Sequence, residues 1–216
     1  MVIISPSLLS CDFLNIERDL KYFEGVKDFW FHLDIMDGHF VPNLTFGHPI
    51  VSLLSKKTSQ RLDAHFMVTN PKFYIDTFKD YKIHNFTFHV EACNNVMELI
   101  TEAKKYYPSV GLSLKPSTSL STISDEMFKA IDLLLVMSVE PGFSGQSFHE
   151  STWERLKSIL EIQKRLKTNF MVQIDGGVSD KNAKKLIELG ANNLVSGSYI
   201  FKQGPSKFLE MVESLR

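Results

Sequence analysis

The stretch FHLDIMDGH, Phe31 to His39, places two histidines and two aspartates in nine residues directly after an apolar run. His32 and Asp34 are two positions apart. Because side chains alternate along a β-strand, both would point to the same face at about 7 Å separation, close enough to converge on one ion. His65 stands in LDAHFM and Asp175 ends FMVQID, so the same chemistry recurs at the ends of two further apolar runs. Two imidazoles and two carboxylates suit zinc, iron(II), manganese or cobalt better than magnesium, which prefers oxygen ligands. A lone strand histidine more often makes a structural hydrogen bond than ligates a metal. Four candidates at corresponding ends of three strands outweigh that. His39, His48, His84, His89 and His149 lack this convergence and are assigned to the surface or to structure.

A second set of residues has the character of an anion site. VEPGFSGQSF, DGGV and VSGS each follow or close an apolar run late in the chain. Glycine frees backbone amides to approach a phosphate, and such amides near a helix start form the usual phosphate site of parallel barrels. A small phosphorylated substrate is therefore expected. Met36, Met67 and Met137 fall at the same strand ends, where core filling is the ordinary role of methionine and pocket lining the alternative.

Positioning these groups requires strands that deliver their C-terminal ends to one place. Eight short runs rich in β-branched and aromatic residues fit: VIIS near Val2, FWFHLD, LDAHFM, NFTFHV, VGLSL, LLLVMS, FMVQID and NLVSG. Helical spacing follows each, beginning near Asn15, Gly47, Pro71, Asn94, Ser121, His149, Ser179 and Pro205. Asn70 before Pro71 reads as an N-cap with proline at the first helical position, Ser179 as a cap for DKNAKKLIELG, and Gly190 as its stop. Strand–helix alternation demands right-handed crossovers and a parallel sheet. Eight units in 216 residues predict a single (β/α)8 TIM barrel spanning 1–216, with an open doubly wound sheet as the alternative.

Composition bounds the rest. Lys plus Arg total 24 against 25 for Asp plus Glu, a balance that gives no strong field for nucleic acid or an anionic membrane. Cys11 and Cys93 have neither the density of a disulfide scaffold nor zinc-finger spacing. No basic, apolar leader follows Met1 and no apolar run approaches a membrane span, so a cytoplasmic protein is expected.

Taken in order, SPSLLSCDF, HLDIMDGHFVPNLTFG, AHFMV, VMSVEPGFSGQSF, IDGGV and VSGSYIF resemble the ribulose-phosphate 3-epimerase family over nearly the whole chain. The resemblance implies a (β/α)8 barrel that interconverts D-ribulose 5-phosphate and D-xylulose 5-phosphate with one divalent cation per subunit, and a homo-oligomer. By position it implies His32, Asp34, His65 and Asp175 as metal ligands, with Asp34 and Asp175 as the acid/base pair. Ser7 and His65 are implied as substrate contacts. Around the substrate phosphate it implies Gly142, Phe143, Ser144 and Gly145, then Asp175, Gly176 and Gly177, and finally Gly197 and Ser198. It places Met36, Met67 and Met137 beside the reacting carbons. The chain departs from the family pattern at Ser144, where GFGGQ is common, at Ser117, where KPGT is frequent, and at Gln173, where an acid is usual. Three other readings compete: a D-allulose-6-phosphate 3-epimerase, a non-catalytic phosphometabolite-binding barrel, and a metal-free barrel synthase or isomerase.

Overall fold

The computed structural model describes residues 2–216. Among them are eight strands: β1 (Ile3–Pro6), β2 (Trp30–Met36), β3 (Arg61–Met67), β4 (Ile83–His89), β5 (Ser109–Leu114), β6 (Leu133–Met137), β7 (Met171–Asp175) and β8 (Asn193–Ser196). They form one all-parallel sheet in the order β1-β8-β7-β6-β5-β4-β3-β2. The ring closes through bridges from Ile4 to Phe29 and from Ser7 to His32. This closure makes the sheet the expected (β/α)8 TIM barrel and excludes the open doubly wound alternative.

Helices α1 (Ile16–Lys21), α2 (His48–Lys57), α3 (Pro71–Phe78), α4 (Val96–Ala103), α5 (Asp125–Ala130), α6 (Thr152–Leu166) and α7 (Ala183–Glu188) follow the first seven strands in turn. After β8 come two, α8 (Ser198–Phe201) and α9 (Phe208–Glu213). Asn70 caps α3 as its sequence predicts, accepting from the Phe73 amide at 3.3 Å. Two expectations need correction. Ser179 is not the side-chain cap of α7: Asn182 occupies the N-cap position, and Ser179 takes part through its backbone, its carbonyl accepting from the Ala183 amide at 2.9 Å and its amide donating to Asn182 Oδ1 at 2.9 Å. Ser121 lies in a 3-10 turn, and α5 starts at Asp125 with the Ser124 hydroxyl accepting from the Met127 amide. The single turn α8 was not anticipated, because four residues are too few to show a helical period.

Strand alternation sorts the side chains into two environments. Leu33, Phe66, Phe88, Leu134 and Ile174 join the large core beneath the helices. Burying each such side chain is worth about 1.5–3 kcal/mol. The alternate positions fill the barrel interior, which is chemically divided. On one side Trp30, Leu133, Leu135, Met137 and Val139 form an apolar cluster. On the other, Asp63, Asn85 and Gln173 are fully buried and joined by hydrogen bonds, with the Gln173 amide donating across the barrel to Asp63 Oδ2 at 2.6 Å and Asn85 donating to Asp63 Oδ1 at 2.7 Å.

Candidate active site

The polar interior leads upward to the C-terminal ends of the strands. Register pairs Asp34 of β2 with His65 of β3, and closure of the ring brings Asp175 of β7 to them. One ligand atom from each of His32, Asp34, His65 and Asp175 lies within 4.8 Å of all the others. His32 Nε2 is 3.5 Å from Asp34 Oδ1 and 3.6 Å from Asp175 Oδ2, and His65 Nδ1 is 3.6 Å from both of those oxygens. These separations are too long for good hydrogen bonds. Both nitrogens are fully buried and have no hydrogen-bond partner. Buried orphaned nitrogens are costly unless another ligand satisfies them. The donor set therefore fits a single divalent cation of the zinc, iron(II), manganese or cobalt type.

The side chains of His32, Asp34 and His65 each have a supporting partner, and Asp175 is held through its backbone. His32 Nδ1–H donates to Asp63 Oδ2 at 2.7 Å, and Asp63 is itself fixed by Asn85 and Gln173. The Ser7 hydroxyl donates to Asp34 Oδ2. Thr45 clamps the end of β2, its hydroxyl donating to the Asp34 carbonyl and accepting from the Met36 amide at 3.0 Å. The Ser138 hydroxyl does the same for β7 through the carbonyls of Asp175 and Gly176, at 2.9 and 2.6 Å. His65 Nε2 lies 2.9 Å from His89 Nε2.

Charge follows the geometry. Burial opposes protonation of His32, but the Asp63 and Asp34 carboxylates outweigh it and hold its pKa well above the ordinary imidazole value. His65 is likewise raised, burial being overcome by Asp175 and Asp34. Burial would raise the pKa of Asp34 and Asp175. Their imidazole neighbours win, and both carboxyls are held below the usual range.

Above this floor opens a cavity whose wall includes Asp34 and Asp175. Ser7 contributes at one side, and Met36, Met67 and Met137 line the depth, each almost fully buried. Gly142, Phe143, Ser144 and Gly145 form one part of the mouth. Gly176 and Gly177 supply the second part, Gly197 and Ser198 the third. Only His65 among the expected substrate contacts is not in the wall: it has no solvent exposure and sits beneath the two aspartates.

Glycine is required at the second part of the mouth. Gly176 has φ +117°, and a Cβ there would lie 2.4 Å from Val139 Cγ2. Gly177 has φ +62°, with a Cβ 2.8 Å from the Phe148 backbone nitrogen. A side chain at Gly176 would have to displace the Val139 side chain and one at Gly177 the Phe148 backbone, both at a positive φ that favours glycine.

The motif order and the geometry agree with what known proteins show. The sequence profile of the ribulose-phosphate 3 epimerase family matches residues 3–201. The chain belongs to that family. Among curated ribulose-phosphate 3-epimerases, that of Treponema pallidum is 39% identical over 92% of this chain and 90% of its own length. The cytoplasmic isoform of Oryza sativa is 37% identical over 99% and 92%. The Bacillus subtilis protein is 36% identical over 96% and 95%. Ribulose-phosphate 3-epimerases are enzymes, so the chain is an enzyme of this family. Solved structures add the fold alone. Tryptophan synthase from Mycobacterium tuberculosis superposes with a TM-score of 0.69 at 10% identity over 99% of this chain and 91% of that one. The Pyrococcus furiosus tryptophan synthase complex gives 0.64 at 15% over 99% and 97%. Among the described residues no helix is long and apolar enough to cross a membrane.

Several residues around the centre escaped the sequence reading. Asp63 stands two positions before His65 on the same strand face, and His89 closes β4 as His65 nearly closes β3. Period-two spacing carried that signal. Gln173 stands two positions before Asp175 and, through Asp63, two hydrogen bonds away from His32.

Proposed function

We propose that this chain, acting as one barrel domain, epimerises D-ribulose 5-phosphate and D-xylulose 5-phosphate at C3, with His32, Asp34, His65 and Asp175 holding one divalent cation. The observation that carries the proposal is the pair of buried, partnerless nitrogens facing two carboxylates at the floor of a glycine-rimmed cavity.

When bound there, a divalent cation supplies Lewis-acid polarisation of the C2 ketone, which acidifies the proton at C3. The chain's own residues do the rest. Inversion needs one group to take the C3 proton from one face and another to return a proton to the opposite face. Asp34 from β2 and Asp175 from β7 stand at the cavity wall beside the two buried imidazoles, and they alternate as base and acid. Ser7 holds the Asp34 carboxylate in one orientation, and the Thr45 and Ser138 clamps keep each strand end in register. Met36, Met67 and Met137 keep water from the reacting carbons. Backbone amides around Gly177 and Gly197 bind the phosphate, so the remote charge positions C3 between the carboxylates.

The test is conversion of D-ribulose 5-phosphate, with D-allulose 6-phosphate in parallel, before and after chelation and with divalent ions restored. Pentose turnover lost on chelation and regained with metal is the expected result. Preference for the hexose phosphate would move the assignment to the sister epimerase, and no turnover of either substrate by metal-loaded protein would leave a binding barrel.

A further inference from the structure

We propose that His89 and Glu91 are positioning residues that fix the metal-ligating tautomer of His65; the role rests on the metal reading given above. His89 ends β4, has no solvent exposure, and stacks its ring on that of His65 with centroids 5.0 Å apart. Its Nε2 is 2.9 Å from His65 Nε2, and its Nδ1 is 3.1 Å from Glu91 Oε2. The other oxygen of Glu91 accepts from the Lys115 amide at 2.8 Å and from the Thr118 hydroxyl, which holds the carboxylate in place.

Hydrogen-bond direction along this chain can be read from its outer end. An ionised carboxylate only accepts, so the proton between Glu91 and His89 sits on His89 Nδ1. A neutral His89 then presents a lone pair at Nε2. The 2.9 Å contact with His65 needs one donor and one acceptor, so His65 donates from its Nε2–H. A neutral His65 protonated at Nε2 has its free lone pair at Nδ1, the orphaned atom that faces Asp34 and Asp175. The Phe40 ring packs against His89 at 4.7 Å, and with His89 fully buried, water offers no substitute partner. Glu91 thus sets the proton position on a ring it does not touch.

The two ligand imidazoles are supported differently. His32 has a carboxylate, Asp63, directly on its second nitrogen, whereas His65 has an imidazole there and the carboxylate one ring further out. A second imidazole carries the direction of the bond while keeping the negative charge of Glu91 away from the cation cluster.

The test combines zinc affinity, measured by chelator competition, with 15N chemical shifts of the histidine rings in the zinc-loaded full chain. In the wild type, His89 is expected in the less common Nδ1–H tautomer. Glu91→Gln must turn an NH2 group either toward the Lys115 amide or toward His89. It is expected to weaken zinc binding about tenfold, within the range for loss of an outer-shell partner, and to shift the His89 nitrogens. His89→Phe removes the acceptor for His65 and should weaken zinc further, with near-ultraviolet circular dichroism checking that each variant is folded. An Nε2–H tautomer of His89 in the wild type, or folded Glu91→Gln protein that binds zinc within twofold of wild type, would overturn the role while leaving the metal reading intact. Failure of the wild type to bind zinc would defeat the metal reading itself and this role with it.

Discussion

The floor and the mouth of the cavity are built on opposite terms. At the floor, side chains do the work: His32, Asp34 and His65 are buried, and each has a second hydrogen-bond partner that fixes its orientation. At the mouth the backbone does it. Gly142, Gly145, Gly176 and Gly177 all have positive φ, and Phe143 is 55% exposed. The contrast matches the two halves of the proposed sugar-phosphate substrate. The end where protons move demands donors fixed to a fraction of an ångström, which a packed interior provides. A phosphate is a large, symmetric anion that several amides can share, and it must enter and leave. Loops anchored at strand ends meet both needs.

If that division holds, changes at the floor abolish turnover and changes at the mouth alter capture. Asp175→Asn is expected to have the largest effect, lowering kcat about 10²- to 10⁴-fold as judged from the usual contribution of a general acid or base, with circular dichroism unchanged. Because the loss is chemical, it should be the same for D-ribulose 5-phosphate and for any slow turnover of unphosphorylated D-ribulose. Asp63→Asn comes next. It withdraws the carboxylate that orients His32 and should weaken metal binding about 10- to 100-fold, measurable by chelator competition.

Metal affinity should also depend on pH with a fixed sign. The carboxylates beside His32 and His65 raise their pKa against the effect of burial, so both rings hold protons more tightly than free imidazole. Binding must expel those protons. Affinity therefore falls as pH drops, by about tenfold per pH unit for each proton displaced, and calorimetry in buffers of different ionisation enthalpy counts them.

At the mouth, Gly177→Ala pushes a Cβ into the Phe148 backbone. KM for the phosphorylated ketose should rise about tenfold with kcat less affected, while turnover of the unphosphorylated sugar stays unchanged. An equal loss on both sugars would break the division. The smallest effect is expected from Asn43→Ala. Its amide donates to the Gly142 carbonyl at 2.8 Å and ties the loop after β2 to the loop after β6. Losing one such bond, worth about 1 kcal/mol, should raise KM only a few-fold.

The strands and most helix starts were legible because each leaves a local mark: apolar runs of four to seven residues, Asn70 before Pro71, Gly190 after a helix. His32 and Asp34 could be paired by inspection, since two residues of spacing on a strand is a local fact. His89 and Asp63 could not be placed as easily. Each has the residue type and strand position of a site residue, but whether a buried histidine ligates, supports a ligand or merely packs depends on which atom faces it across the neighbouring strand. That is a matter of register, which pairs Asp63 with Asn85 and Asp34 with His65. The start of α5 and the turn α8 were missed for a different reason: short elements at strand ends are shaped by the loops around them more than by their own periodicity.

By itself, then, the sequence determined the alternation of strands and helices, the inward face of each strand, and which residue types stand at the strand ends. Only the tertiary structure decided that Asp175 meets His32, that Gln173 reaches Asp63 across the barrel, and that His65 lies outside the wall of the cavity. The physical reason is ring closure. A strand's side-chain period is fixed by covalent geometry within a few residues, whereas convergence of β2, β3 and β7 on one point exists only after all eight strands have paired and the sheet has curled back on itself.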